Sequence, residues 1–484
     1  MIRPSRTEIA PEYKTFAHPN PMLFREVYKL RGIDDLSSSL KYQTEFINIE
    51  TLTGSQNILI LPEEDQQKVE DERAQVNAHI QTISEETDLP LPHMDQPLYV
   101  DFDIHSGYPN ILKTIKKYRD NPEVLGQLAA CLADPSRLEM NQAGLFHEDV
   151  LTAVHALFPN IAIHPDFQRR IRSSVNYVDK TISVDLVNNA PHVDLPKHAI
   201  SRTYIVEDVL TAQSYTDLKK SWEDIGGCSA QTDTIVVKLG PDSGGEGVFL
   251  VRPDNFAHFR QKLQKLPDTS MKCMLQEPIC VPRTSPNGLP NRTSLDFVIG
   301  GKKSIQYVGS AGQISADEEC TEYLGSVWRY EDDEAVLQSI GPHRLQNLCN
   351  LYAERGYIGP IGFDFLMDED GEYNYIFDCN PRRTANQYVY NMKDYMHRNG
   401  IRLKTLANVG RSGMFKTPNL SETLQDLKQR NVLMTPYNGQ GTLLLPHLNG
   451  GFDVHFANFE DVQEILNWSD ALRQHDNNFP SLYL

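Results

Sequence analysis

The stretch Gly362-Phe-Asp-Phe-Leu-Met-Asp-Glu-Asp-Gly-Glu-Tyr-Asn-Tyr-Ile-Phe-Asp-Cys-Asn-Pro-Arg-Arg383 places two apolar runs around an acidic turn containing Gly371. That pattern predicts a β-hairpin. An antiparallel pair centred near residue 371 brings Asp364 opposite Asp378, while Asp378 and Asn380, two apart on one strand, share a face. Carboxylates facing each other on a sheet repel unless something positive neutralises them. A divalent cation does this, and Mg2+ suits two carboxylates, an amide and the oxygens of a bound phosphate. An all-oxygen set does not suit a soft metal. Taken alone, the same residues also describe a solvated hairpin end with Asn380 capping the turn before Pro381.

Upstream, Thr234-Ile-Val-Val-Lys238 reads as an apolar strand ending in a cation. It runs into Leu239-Gly-Pro-Asp-Ser-Gly-Gly-Glu-Gly247. Glycines let backbone amides approach a ligand closely, so Ser243, Gly244, Gly245 and Gly247 form a candidate phosphate cover, with Lys238 supplying a point charge. The Gly-Lys-Ser/Thr opening a helix is missing, so this is no Walker A loop. In isolation it is also an ordinary turn between two strands.

Composition narrows the function classes. The 484 residues suggest about three domains, placed at 1–190, 191–400 and 401–484. Lys and Arg number 46 against 65 Asp and Glu, a net charge of −19 that argues against nucleic acid or anionic lipid as partner. Seven cysteines without a CxxC pair signal neither a zinc cage nor a secreted disulfide framework. No run approaches the roughly 20 apolar residues that span a bilayer, and the expectation is a cytoplasmic protein.

Along the chain, strands are expected at 57–61 and 98–103, with a solvated helix over 63–87 between them, an α/β unit. Residues 122–158 read as mostly helical. Beyond about 190 strands dominate: 233–238, 248–251, 274–279, 294–299 and two near 361 and 375. Helices are expected at 214–225, 254–266 and 334–355. The tail offers one strand, 441–445, and a helix over 460–473.

Both motifs together, in this order, resemble the ATP-grasp superfamily, whose nucleotide-binding half has a strand ending in Lys, a glycine-rich loop, a hinge strand and late strands reading G-x-D-F and E-x-N-P-R. The resemblance covers roughly residues 190–395. It implies an α/β (α+β) ATP-grasp fold behind an N-terminal pre-ATP-grasp α/β domain, with 401–484 packing on the nucleotide-binding unit. It also implies ATP and Mg2+, the metal on Asp364, Asp378 and Asn380. Phosphates fall to Lys238 and the loop, and adenine to a hinge at Gln276, Glu277 and Ile279. Arg382, matching the N-P-R arginine, takes its place beside Lys238 as catalytic. Asp378 stands where the family usually has glutamate, and Ile361 where some peptide ligases have arginine. Arg292 and Arg329 are candidates for that role, and Lys197 and Arg202 for the family's earlier lysine. The run from Val236 to Gly247 further resembles pheganomycin-type peptide ligases.

The activity implied is ATP-dependent joining of a small-molecule carboxylate and an amine, through an acyl phosphate, with ADP and phosphate released. A small-molecule kinase and a catalytically impaired nucleotide-binding regulator are the alternatives. A homodimer is expected by analogy.

Overall fold

The computed structural model describes residues 66–91, 180–190 and, with short breaks, 194–482, together with the backbone of five upstream strands. Among the breaks are 241–246, 277–288 and 382–383. The fold class is the expected mixture of helix and sheet.

The largest sheet is mainly antiparallel. Its strand order is Gly441–Pro446, Phe452–Ala457, Thr405–Val409, Tyr323–Arg329, Ser304–Ser315, Arg292–Gly301, Gly359–Leu366, Tyr375–Asn380 and Lys197–His198, with Arg3–Pro4 joining Ser304–Ser315. A second, four-stranded antiparallel sheet runs Ser201–Ile205, Lys272–Gln276, Ile235–Leu239, Val248–Val251. Upstream, a four-stranded parallel sheet runs Leu98–Val100, Asn57–Pro62, Lys14–Ala17, Leu138–Asn141.

Alternation along the strands fixes what each face carries. In the second sheet Ile235, Val237, Leu239, Cys273 and Leu275 pack with Val209, Leu218, Trp222 and Phe259 from its three helices. Val236, Lys238, Met274 and Gln276 therefore share the opposite face. In the large sheet Leu295, Phe297, Phe363 and Phe365 enter a core with Val336, Leu345 and Tyr352. Burying such aromatic side chains contributes roughly 1.5–3 kcal/mol each, enough to dictate which way the intervening polar residues point.

Several expectations are corrected. The helix read over 334–355 is two, Tyr330–Ile340 and Pro342–Glu354. Gly341 between them has φ +96°, a left-handed turn before a proline that cannot extend the preceding helix. The span 122–158 contains the strand Leu138–Asn141, whose alternating Leu-Glu-Met-Asn was masked by flanking helical spacing. The helix Gln66–Thr87 is not simply solvated: Val76, Ile80 and Ile83 form a narrow apolar stripe packed with Leu424, Leu427 and Leu443. The tail contributes three strands to the large sheet rather than one. Thr405–Val409 escaped notice because Thr-Leu-Ala-Asn-Val has no apolar–polar alternation, whereas Phe452–Ala457 alternates as Phe-Asp-Val-His-Phe and was legible though unread.

One close approach holds the tail to the rest of the sheet. A Cβ built on Gly325 would lie 1.8 Å from the backbone oxygen of Asn408 on the neighbouring strand. Overpacking typically costs about 1–3 kcal/mol, and a clash with paired backbone leaves nothing free to move aside. Gly325→Ala is therefore expected to lower the free energy of unfolding by at least about 1 kcal/mol, read as a urea midpoint shifted to lower concentration. An unchanged midpoint contradicts this strand pairing.

Candidate active site

Three neighbouring strands set the acidic groups in register. Ser294, Asp364 and Asp378 form one row across Arg292–Gly301, Gly359–Leu366 and Tyr375–Asn380, and Asp296, Gly362 and Asn380 form the next. The hairpin expected from sequence thus brings Asp364 opposite Asp378. Phe363, Phe365 and Cys379 between these positions are buried in the core, so the polar rows face the other way.

Asp364 is 7% exposed. Ser294 Oγ donates to its Oδ1, and Asn380 Nδ2 donates to its Oδ2 at 3.0 Å. Burial, reinforced by the charge of Asp378, pushes its carboxyl up to about 7. Asp378 has a cation of its own: Lys180 Nζ donates to its Oδ2 at 2.6 Å, and the Cys379 backbone N–H donates to Oδ1 at 3.0 Å. Lys180 opens the helix Lys180–Asn188 and is itself buried.

Sequence reasoning missed Lys180. Lys197 and Arg202, considered instead, sit on strands whose side chains fall outside the described residues. A signal was present, however. A lysine at a helix N-terminus opposes the macrodipole, which favours anions there, so it calls for a carboxylate or phosphate nearby.

Lys238 reaches the same strand from the second sheet. Its Nζ donates to the Phe377 carbonyl oxygen at 2.6 Å and lies 5.3 Å from the Phe377 ring centroid. The faces of the two sheets therefore meet at the residues flanking Asp378. Gln276 lies on the cleft-facing side of the second sheet, buried, and its Nε2 has no partner among the described residues. Gly247 accepts the Leu239 N–H at 3.0 Å through its carbonyl oxygen, closing the base of the glycine loop. Ser243, Gly244, Gly245, Glu277, Ile279 and Arg382 lie outside the described residues. Of the other arginines, Arg292 shares a face with Ser294 in the acidic region. Arg329 lies 4.0 Å from Asp332 and 5.9 Å from the Phe459 ring.

The donor chemistry can be tested against Mg2+. Among the described residues no group of three or more His, Cys, Asp and Glu side chains converges as a metal cage. Two carboxylates and an amide do converge. This suits Mg2+, which takes one or two protein carboxylates and completes its shell with phosphate oxygens and water. The raised Asp364 carboxyl reflects its burial first and the nearby charge of Asp378 second.

No protein-family model matches the chain, and no curated protein sequence matches it. Among solved structures, the chain is similar to carboxyaminoimidazole ribonucleotide synthase from Aspergillus clavatus complexed with ATP (10% identity, 96% of this chain and 99% of that one, TM-score 0.47). It is also similar to a biotin carboxylase from Campylobacter jejuni (10% identity, 97% and 91%, TM-score 0.48). A third is an L-amino acid ligase from Bacillus licheniformis (11% identity, 96% and 97%, TM-score 0.46).

The Asp364 carboxyl has a consequence for stability. Its value is raised from the ordinary 3.8 to about 7, so between these pH values the folded chain keeps a proton that the unfolded chain has lost. Stability therefore falls as pH rises through this window, and the full cost is present above it. In chelator, Asp364→Asn should melt higher than the unsubstituted protein at pH 8, with the gap closing toward pH 4. Added Mg2+ at pH 8 should raise the melting temperature of the unsubstituted protein and leave the variant unmoved. A variant destabilised equally at every pH contradicts the assignment.

Proposed function

We propose that the chain is an ATP-grasp carboxylate–amine ligase, with nucleotide held between the two antiparallel sheets. The observation that carries this reading is the convergence of Lys180 and Lys238, from separate elements, on the strand bearing Asp378, opposite Asp364. Two cations and two acids brought to one strand from separate elements suit a metal–triphosphate, whose phosphates take the lysines and whose metal takes the acids.

In this reading residues 191–400 form the nucleotide-binding unit together with the helix Lys180–Asn188, 401–484 extend its sheet, and the rest of 1–190 contributes the substrate side. Lys238, with the loop amides of Ser243, Gly244, Gly245 and Gly247, holds phosphate oxygens. Lys180, 2.6 Å from Asp378, orients that carboxylate and stands within reach of the same phosphates. Gln276, Glu277 and Ile279 edge the base. Asp364, Asp378 and Asn380 hold Mg2+, which when bound neutralises charge on the transferring oxygens.

The chemistry then needs no protein nucleophile. A substrate carboxylate oxygen attacks the γ-phosphorus, the bond to the β-phosphate oxygen breaks, and ADP departs. The amine nitrogen attacks the carbonyl carbon of the resulting acyl phosphate, phosphate leaves with the C–O bonding pair, and the nitrogen sheds a proton. Lys238 and Arg382 stabilise the charge spread over the transferring group, and the site works mainly by position and preorganised charge.

A phosphate-release screen over amino acids, dipeptides and small carboxylates, with mass spectrometry of products, tests this. Turnover is expected only when a carboxylate and an amine are both present, with an amide as product. Asp378→Asn should abolish Mg2+-dependent ATP binding. Phosphorylated product without amine points to a kinase, and unchanged binding by Asp378→Asn overturns the metal assignment.

A further inference from the structure

Away from the acidic pair, a second cluster holds two donors that no described residue accepts. Lys393 lies on the helix Gln387–Arg398, its side chain only 25% exposed. Its Nζ stands over two rings, 5.1 Å from the centroid of Trp328 and 5.7 Å from that of Tyr390. The nearest carboxylate oxygen, on Asp394, is 3.9 Å away, beyond hydrogen-bonding reach. Trp328 adds a donor of the same kind: it is 4% exposed, and its buried Nε1 has no hydrogen-bond partner. An ammonium and an indole N–H can only donate, so what is missing from this cluster is an acceptor. Leaving such donors unmatched costs free energy.

The surroundings hold these donors in place. Tyr390 Oη donates to Asp296 Oδ2 at 3.2 Å. Its ring packs where Gly309 has no side chain, since a Cβ there would lie 2.8 Å from Tyr390 Cε1. Tyr330 meets Trp328 edge-on, with 6.5 Å between centroids, and is 70% exposed, so the cluster runs from the interior out to solvent. Register ties it to the acidic pair. Gly312 pairs with Val327, which sets Trp328 across from Ala311. Ala311 pairs with Ser294, Ser294 with Asp364, and Asp364 with Asp378. Trp328 therefore belongs to the same row, three strand spacings or about 14 Å from Asp364.

We propose that Lys393 and Trp328 form a subsite for the carboxylate at the far end of an extended substrate whose near end reacts beside Asp364. The two oxygens of a carboxylate accept the two unmatched donors, and the rings hold the ammonium without using its hydrogen bonds. The exposed Tyr330 ring offers a face to the apolar part of the same molecule. Which end reacts rests on the ligase reading above, whereas the anion contact does not. Allowing about 3 Å for contact at each end leaves about 8 Å between the carboxylate and the reacting atom. An extended chain rises about 3.3–3.6 Å per residue, so the C-terminus of a di- or tripeptide fits, as does a dicarboxylic acid of equal length, and a single amino acid falls short.

Isothermal titration calorimetry of the full chain reads this, with Mg2+ and a non-hydrolysable ATP analogue present and again without nucleotide. The probes are Ala-Ala, Ala-Phe, Phe-Ala and Phe-Phe, their C-terminal amides, pimelate and its monoamide, and single Ala and Phe. A dipeptide or pimelate should bind, and whichever does names the source of the carboxylate. Its amide should bind about tenfold more weakly, the equivalent of one charge-assisted hydrogen bond. Lys393→Met should weaken the acid by the same factor and leave the amide unmoved. Lys393→Arg, still cationic over the rings, should stay within about threefold of the unsubstituted protein. Trp328→Phe, which keeps a ring and loses the N–H, serves if Lys393→Met fails to fold, and should weaken the acid about threefold while sparing the amide. None of these changes should alter binding of the ATP analogue.

An acid and its amide bound alike by the unsubstituted protein, or weakened alike by Lys393→Met, overturn the subsite, as does a panel in which no acid binds. A single amino acid that binds as tightly as the dipeptides overturns it too, because the spacing is then wrong. If the ATP analogue fails to bind while acid and amide are still told apart, the nucleotide reading falls and the carboxylate subsite stands.

Discussion

Asp364 and Asp378 are held opposite each other on adjacent strands, one of them almost wholly buried, and everything else around them answers the repulsion between them. Lys180 supplies one positive charge at 2.6 Å. Ser294 and Asn380 supply hydrogen bonds to Asp364. Burial first, and the charge of Asp378 second, raise the Asp364 carboxyl, so two acids stand together inside a packed sheet. A breach of this kind in an otherwise well-packed sheet is where function concentrates, because a ligand can complete what the protein does not.

The fold makes this arrangement affordable through alternation. Phe363, Phe365 and Cys379 lock one face of the large sheet against two helices, which forces Gly362, Asp364 and Asn380 to the other. The smaller sheet does the same with Val237 and Leu239, leaving Lys238 on the face that meets Phe377. Two separately packed cores thus aim their polar faces at a single strand. Asp296 continues the pattern one row further, with Gly309 and Gly362 on either side giving way to the groups that donate to it.

Much of this was legible in the sequence where short apolar runs are bounded by glycine-containing turns. The hairpin register followed from the spacing of Asp364 and Asp378 about Gly371, and the lysine strand from Ile235 to Lys238. The partners that came from far along the chain were not legible. Lys180 stands 198 residues before Asp378, and only its unfavourable place at a helix N-terminus hinted at a partner. Asp296 reads locally as a polar residue between Leu295 and Phe297, and its donors at Thr384, Asn386 and Tyr390 become visible only once the chain is folded. Of the tail strands, Thr405–Val409 carries no apolar–polar alternation, whereas Phe452–Ala457 shows the strand period in Phe452, Val454 and Phe456 and was legible though unread.

The central claim is that this acidic row and the two lysines share one metal–nucleotide. Crystals grown with Mn2+ and a non-hydrolysable ATP analogue test it most directly. The account predicts an anomalous peak at bonding distance from carboxylate oxygens of Asp364 and Asp378, with the phosphate chain between Lys238 and Lys180. A peak elsewhere, or a nucleotide bound away from the strand Tyr375–Asn380, contradicts it.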